Sequence, residues 1–393
     1  MVVPILLLVV LAFVLALPLT VYARSMGHRL AALDGAGVTG QVKAATRRVP
    51  NTGGVAVFAA VTLPLVVFLV GMRTGLDKQL VAWVPALAEH LDRVADQAGA
   101  YGWLLICLGV LHVMGLIDDR KPLGAMPKLL VMAGCAAAFV LLTDTRVLTL
   151  LDAHVGGKWL SVLLTVVWIV AVTNAMNFID NMDGLCGGVG AIAAACFMTG
   201  ALVHRQWFVA GVLALLVGAC LGFLVLNFPW RKPATIFLGD GGSLIVGFVL
   251  ATMAIRITYA RIGVAEGPAD AVSDTGRWHA VLTPFVVLAV PLYDMLSVTF
   301  LRLKQGKSPF VGDLQHLSHR LHFGGLSKEG KGLTKRDTVI VICGLTAITG
   351  GGGAILPSLA PWQALVVFGQ TVAALTLLGV WEYRASAAAR EGA

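Results

Sequence analysis

Eleven stretches of this chain are long and apolar enough to cross the hydrocarbon core of a bilayer, which is roughly 30 Å thick. They run near 2–23, 51–71, 100–117, 128–142, 159–176, 188–203, 207–227, 241–259, 281–301, 337–356 and 362–383. Backbone inside lipid has no water to bond with, so runs of this length must satisfy their own N–H and C=O groups as helices. The expected fold class is therefore an all-α polytopic membrane protein with about eleven transmembrane helices. Composition agrees, because only 13% of the residues are charged, against about 25% in a soluble domain.

The first run carries no charge before Arg24, and basic residues follow it rather than precede it. A secretory signal peptide has the reverse order, so this run reads as a retained span with the N-terminus outside. Counting spans from there puts 24–50, 118–127, 177–187, 228–240, 302–336 and the C-terminal tail inside. These segments and their borders hold most of the 29 Lys and Arg residues, as the positive-inside rule expects. The reading is one integral-membrane domain over 1–393, with a cytoplasmic C-terminus. Between the second and third spans, Leu80, Val84, Leu87, Leu91 and Val94 recur at three- and four-residue steps. That spacing predicts an amphipathic helix on the outer membrane surface. The stretch from Ala260 reads as a plain outer loop.

The net charge of +8 does not point to nucleic acid, since no basic-aromatic array accompanies it. The six cysteines stand singly and mostly within apolar runs, where they read as small fillers rather than metal ligands. Ionisable groups at membrane depth are more informative, because the bilayer penalises them. Four clusters stand at the inner ends of spans. Asp118-Asp119 directly follows Met114-Gly115-Leu116-Ile117; adjacent carboxylates repel, and need a cation, a proton or a substrate beside them. A solvated helix end paired with Arg120 and Lys121 is the plainer alternative. Asn174 to Leu185 carries Asn174, Asn177, Asp180, Asn181 and Asp183 with no basic neighbour, which suits hydrogen bonding to a nucleoside or sugar. Asn177, Asp180 and Asp183 would share one face if the helix continued through them.

Phe237-Leu-Gly239-Asp240-Gly241-Gly242-Ser243 leads into the next span. Glycines at a helix start expose N–H groups as an anion site, and an Asp among them suggests Mg²⁺ bridging a diphosphate. The inner loop from Lys304 to Lys335 holds Asp313, His316, His319, Arg320 and His322, a set suited to a phosphate-rich substrate. His316 and His319 also have a zinc-like spacing, but no Cys or well-placed third His joins them.

Taken together these stretches resemble the polyprenyl-phosphate N-acetylhexosamine-1-phosphate transferase family. Arg47-Arg-Val-Pro-Asn51-Thr-Gly-Gly54, Asp118-Asp119, Asn174 to Leu185, Gly239 to Ser243, Pro291-Leu-Tyr-Asp294 and His316-Leu-Ser-His-Arg-Leu321 occur in the family's order. The Val-Pro-Asn-Thr-Gly-Gly and His-x-x-His-Arg-Leu strings look like the UDP-GlcNAc branch, which starts O-antigen, common-antigen or teichoic-acid synthesis. The peptidoglycan branch, transferring phospho-MurNAc-pentapeptide, is the neighbouring alternative. Two positions depart from the pattern: Ser318 stands where the branch has a middle histidine, and Asn181 where the family has glycine.

The resemblance implies transfer of a sugar-1-phosphate from a UDP-N-acetylhexosamine to undecaprenyl or another polyprenyl phosphate. It implies a Mg²⁺ cofactor, with Mn²⁺ as a substitute, held by Asp240. Asp118 would deprotonate or orient the lipid phosphate, supported by Asp119. Asn51, Asn174, Asn177, Asp180 and Asp183 would bind the donor, and His316, His319 and Arg320 would steady phosphate oxygens. The partners besides substrates are the lipid bilayer and a second copy as homodimer, and the location is a bacterial inner membrane with the site facing the cytoplasm. A secondary transporter is the rival from another class. It would place its acids near the bilayer midplane in repeated halves, whereas these lie at span ends.

Overall fold

A computed structural model of the chain describes residues 2–32, 48–75, 82, 97–259, 278–308, 314–323 and 332–391. The expected surface helix, apart from Ala82, and the loop 260–277 lie outside these residues, as do Arg47 and Asp313. Among the described residues the regular elements are helices. They are α1 (Val2–Arg29), α2 (Gly53–Thr74), α3 (Ala98–Arg120), α4 (Ala125–Thr143), α5 (Asp152–Val155), α6 (Trp159–Ile179) and α7 (Leu185–Val203). After them come α8 (Trp207–Asn227), α9 (Asp240–Tyr259), α10 (Thr283–Val287), α11 (Ala289–Lys304), α12 (Leu317–Phe323), α13 (Lys335–Ile355) and α14 (Pro361–Glu391).

Ten of these helices are individually long and apolar enough to span a membrane. The run expected at 281–301 is instead a pair, Trp278–Val287 and Ala289–Lys304, bent by 70° and making an eleventh span if counted as one. Proline contributes to the break. Pro291 has no N–H to donate to the carbonyl of Val287, which removes one helical bond across Leu288, although α1 and α2 each run on through an internal proline, Pro18 and Pro64.

α9 lies at the centre. Of its most apolar window 94% is buried, against 17% for α1 and 11% for α14. It packs on α6, α3, α7, α2 and α8. The approach is close because glycines remove the side chains that would prevent it. A Cβ on Gly54 would lie 2.4 Å from the nitrogen of Gly242, and one on Gly115 would lie 2.4 Å from the nitrogen of Gly241. α1 packs on α8 in the same way, through Gly218 and Gly222 against the backbone of Val9 and Phe13, the small-xxx-small contact that lets helices approach in lipid. These contacts bring the end of α3, the end of α6 and the start of α9 to one end of the bundle.

Candidate active site

The short string before α2 pairs with the glycine loop before α9. Phe237 donates its N–H to the carbonyl of Pro50 (2.8 Å), while Gly53 and Gly54 donate to Phe237 (2.9 Å) and Leu238 (2.8 Å). The loop then turns at Gly239, whose φ of +73° suits glycine. Space requires glycine as well: a Cβ there would lie 2.5 Å from Oδ2 of Asp119 and 2.7 Å from Oδ1 of Asn51.

The N–H groups that open α9 do make an anion site, but its occupant is Asp119. Its Oδ1 accepts from the N–H of Asp240 (3.0 Å) and its Oδ2 from that of Gly241 (3.3 Å). Asn51 Nδ2 adds a third bond to Oδ1 (2.7 Å). Asp119 and Asn51 therefore brace α3 against α9. His112, one helical stretch deeper, has its Nδ1 2.7 Å from the carbonyl of Gly241 and stacks on Phe58.

Asp118 faces the other way. Its Oδ1 accepts from the N–H of Leu123 (2.8 Å), and its Oδ2 lies 2.9 Å from Nζ of Lys128. The same ammonium is 2.9 Å from Oδ2 of Asp240, so Lys128 joins the two carboxylates. Asp240 Oδ1 accepts from Nδ2 of Asn177 (2.8 Å), which also reaches Oγ of Ser243 (3.0 Å). Asn174, one turn earlier on α6, makes no hydrogen bond to this group.

The acidic loop after α6 does not extend the helix. α6 ends at Ile179, Gly184 takes a φ of +83°, and the residues between them turn. Asn177, Asp180 and Asp183 thus share no helical face. Asp183 Oδ2 accepts from the N–H of Ala234 (3.0 Å). Asn227 clamps the same two loops, accepting from Gly184 N–H (2.7 Å) and donating to the carbonyl of Ile236 (2.8 Å). Asp180 lies beside the carboxylates. Burial first, then the negative charges of Asp240, Asp119 and Asp183, hold its carboxyl well above the usual range, against an opposing bond from the N–H of Gly239.

The histidine segment is tied to α11 and to the acidic loop. Asp294, 1% exposed, lies 2.8 Å from Nδ1 of His316 and accepts from the N–H of Leu317 (2.5 Å). Arg320 donates to the carbonyl of Gln315 and to Oγ of Ser297 (3.1 Å). Ser318 Oγ donates to Oδ1 of Asn181 (2.5 Å), and His316 meets Phe178 edge-on at 5.6 Å. His319 is 5% exposed, and its Nδ1 has no partner among the described residues. Burial, then the neighbouring His316, push its imidazole down to about 4, so it is neutral at pH 7.

Among the described residues no three His, Cys, Asp or Glu side chains converge so as to enclose a metal ion. Mg²⁺ does not require that, since it takes one or two carboxylates and completes its shell with phosphate oxygens and water. Asp118 and Asp240 fit this pattern, with a cation of the protein's own, Lys128, lying 2.9 Å from an oxygen of each.

Most residues singled out from the sequence meet here: Asn51, Asp118, Asp119, Asn177, Asp180 and Asp240 form one group, with Asp183 and the histidine segment beside it. Lys128, Asn227 and Asp294 as a histidine anchor were missed. Lys128 carried a signal, a charge just inside an apolar run that lipid would penalise.

The family described as "Glycosyl transferase family 4" matches residues 101–258, the stretch that carries the carboxylates and amides from Asp118 to Asp240. The chain is similar to decaprenyl-phosphate N-acetylglucosaminephosphotransferase of Mycobacterium tuberculosis, 37% identical over 56% of this chain and 56% of the relative. It is similar to the protein of that name from Mycolicibacterium smegmatis, 33% identical over 68% of this chain and 66% of the relative. It is also similar to undecaprenyl-phosphate alpha-N-acetylglucosaminyl 1-phosphate transferase of Salmonella typhi, 27% identical over 81% of this chain and 77% of the relative. The match to the Mycobacterium tuberculosis relative thus spans little more than half of that protein.

Proposed function

This chain belongs to glycosyl transferase family 4, and from that premise we propose that it transfers N-acetylglucosamine-1-phosphate from UDP-GlcNAc to undecaprenyl or another polyprenyl phosphate, releasing UMP. One observation carries the reading beyond kinship. Lys128, bridging Asp118 and Asp240, lies one turn of α4 before Val131, which lines an apolar groove of about 510 Å³ between α3 and α4. Leu123 lines that groove and donates its own N–H to Asp118. A molecule with a long hydrocarbon tail and a phosphate head would meet both surfaces in one place. A transporter gives no reason for such a charged group at one end of the bundle.

The reaction exchanges one phosphoanhydride for another. An oxygen of the acceptor phosphate attacks the phosphorus bearing the sugar, and the bond to the UMP oxygen breaks with its electron pair leaving on UMP. Asp118, at the groove, orients the acceptor phosphate and takes its remaining proton. Lys128 offers positive charge between the two anions that must approach each other. Asn177 fixes the orientation of Asp240, while Asp119 and Asn51 hold the first turn of α9 in place. Asp180, whose carboxyl is pushed up by burial and by its acidic neighbours, offers a hydrogen bond to the donor, and Asn174 and Asp183 flank it. His316, His319 and Arg320 lie on the donor's phosphate side, with His319 acting as a neutral imidazole. Mg²⁺ held by Asp240 would withdraw charge from the departing phosphate. The attack is direct, without a covalent Asp intermediate.

On this reading the polar end of the bundle faces the cytoplasm, where UDP-sugars are made, and the N-terminus lies outside. The enzyme would sit in a bacterial inner membrane, alone or as a homodimer. The test is UMP release by purified protein with undecaprenyl phosphate, Mg²⁺ and a panel of UDP-sugars. Turnover with UDP-GlcNAc that EDTA abolishes is expected. Turnover only with UDP-MurNAc-pentapeptide would move the chain to the peptidoglycan branch, and turnover with no UDP-sugar would overturn the function.

A further inference from the structure

The two positions at which this chain departs from the pattern it resembles are far apart in sequence and touch in space. Ser318 Oγ donates to Oδ1 of Asn181 at 2.5 Å, across 137 residues. Asn181 is committed at its other end, where Nδ2 donates to the carbonyl of Phe178 at 2.8 Å, near the end of α6. Ser318 is 1% exposed, so its hydroxyl has Asn181 rather than bulk water as its partner. The two side chains thus fill one contact between the histidine segment and the acidic loop.

Both ends of the bond matter for geometry. α12 is already fastened to α11, through Asp294 and through Arg320 with Ser297. The Ser318–Asn181 bond fastens it to the acidic loop as well. We propose that Asn181 and Ser318 are a matched positioning pair, setting the gap between the histidine segment and the acidic loop and thereby the affinity for the nucleotide-sugar donor. Neither residue is a catalytic group. The role of the gap in donor binding rests on the transferase reading, while the pairing itself does not.

The pairing dictates the pattern of mutational effects. Ser318→Ala leaves a half-buried amide oxygen without its partner and Asn181→Ala strands a buried hydroxyl, so each should raise KM for UDP-GlcNAc about tenfold with kcat little changed. The two together should do no more harm than the worse of them, because they remove one bond. Ser318→Thr keeps the hydroxyl and should stay near wild type in KM. Ser318→His alone forces an imidazole against Asn181 in a filled site and should be worse than Ser318→Ala. Adding Asn181→Gly to Ser318→His should restore KM to within about threefold of wild type, against the more than tenfold defect of the single change.

The experiment is UMP-release kinetics on these variants, with hydrogen–deuterium exchange of residues 316–323 measured in parallel. Non-additive KM effects, rescue by the Gly/His double variant and faster exchange in Ser318→Ala support the pair. Additive KM effects or a double variant no better than Ser318→His would overturn it. If wild type turns over no UDP-sugar, the transferase reading has failed. The exchange data then decide the pairing alone: unchanged exchange in both Ser318→Ala and Ser318→His would refute it.

Discussion

The two ends of the helix bundle both gather charge, and they treat it in opposite ways. At the end away from the site, Arg146 is buried and bonded to everything around it. Its Nε reaches Asp144 (3.0 Å), and its other nitrogen reaches Asp152 and Oγ of Ser161 (2.7 Å). Lys158 adds a second base to Asp144 at 3.3 Å, so two acids meet two bases. Burial would raise the carboxyl of Asp144, but the bonds from Arg146 and Lys158 outweigh it and lower it. Ser161 and then Arg146 lower that of Asp152. At the site end, Asp118, Asp119, Asp180 and Asp240 converge, Lys128 reaches two of them, and the carboxyl of Asp180 is pushed up. Neutralised charge holds loops together, whereas crowded like charge, offset only in part by Lys128 and by N–H groups, leaves room for a bound cation to stabilise it further.

The sharpest way to break this comparison is to remove one acid from each end. Asp240→Asn should lower UMP release about a thousandfold. Asp152→Asn should leave turnover per folded molecule within about twofold, because its bonds secure a loop far from the chemistry. Equal losses at both ends would erase the distinction.

A smaller effect is expected from pH. His319 is neutral in the folded protein and pushed down to about 4, while an unfolded histidine titrates near about 6.5. The unfolded chain therefore binds the proton first. His319's contribution to stability is complete above the unfolded value and is lost as pH falls toward 4, by at most about 3 kcal/mol. Thermal unfolding of purified protein should show Tm dropping across that window, and His319→Asn should flatten the slope there. An unchanged slope would mean that the imidazole is not buried as a neutral group.

The smallest effect belongs to the paired end. Arg146→Gln should reduce stability by about 2 kcal/mol, less than a fully buried pair because Asp144 is exposed, and should leave KM and kcat unchanged. A KM defect without a Tm defect would show that the distant cluster communicates with the site.

Much of this was legible in advance because lipid makes sequence patterns unambiguous. Ten spans appear as apolar runs, and an acid at a span end stands out against them. Asp118, Asp119, Asn177, Asp180 and Asp240 were visible for that reason. The bend at Leu288 was hidden, since the hydropathy of 281–301 is continuous and the lost bond belongs to a single proline. The role of Asp119 was hidden too. Composition suggested open N–H groups at the start of α9, and only the fold shows a carboxylate from α3 already bonded to them. Lys128 was not singled out because its partners, Asp118 and Asp240, come from two other segments of the chain. The Ser318–Asn181 contact spans 137 residues and no local pattern encodes it.

Gly54, Gly115, Gly241 and Gly242 meet main chain to main chain where α2, α3 and α9 converge. The carboxylates are thus registered against peptide groups, whose dimensions are the same in every protein, rather than against side chains that drift. The lipid-facing surface can then change freely without shifting the reacting groups by a fraction of an ångström, a latitude that relatives only 27% to 37% identical would need. The same arrangement is brittle in one direction: a single methyl at Gly115 has no side chain to push aside, and would have to separate two helices.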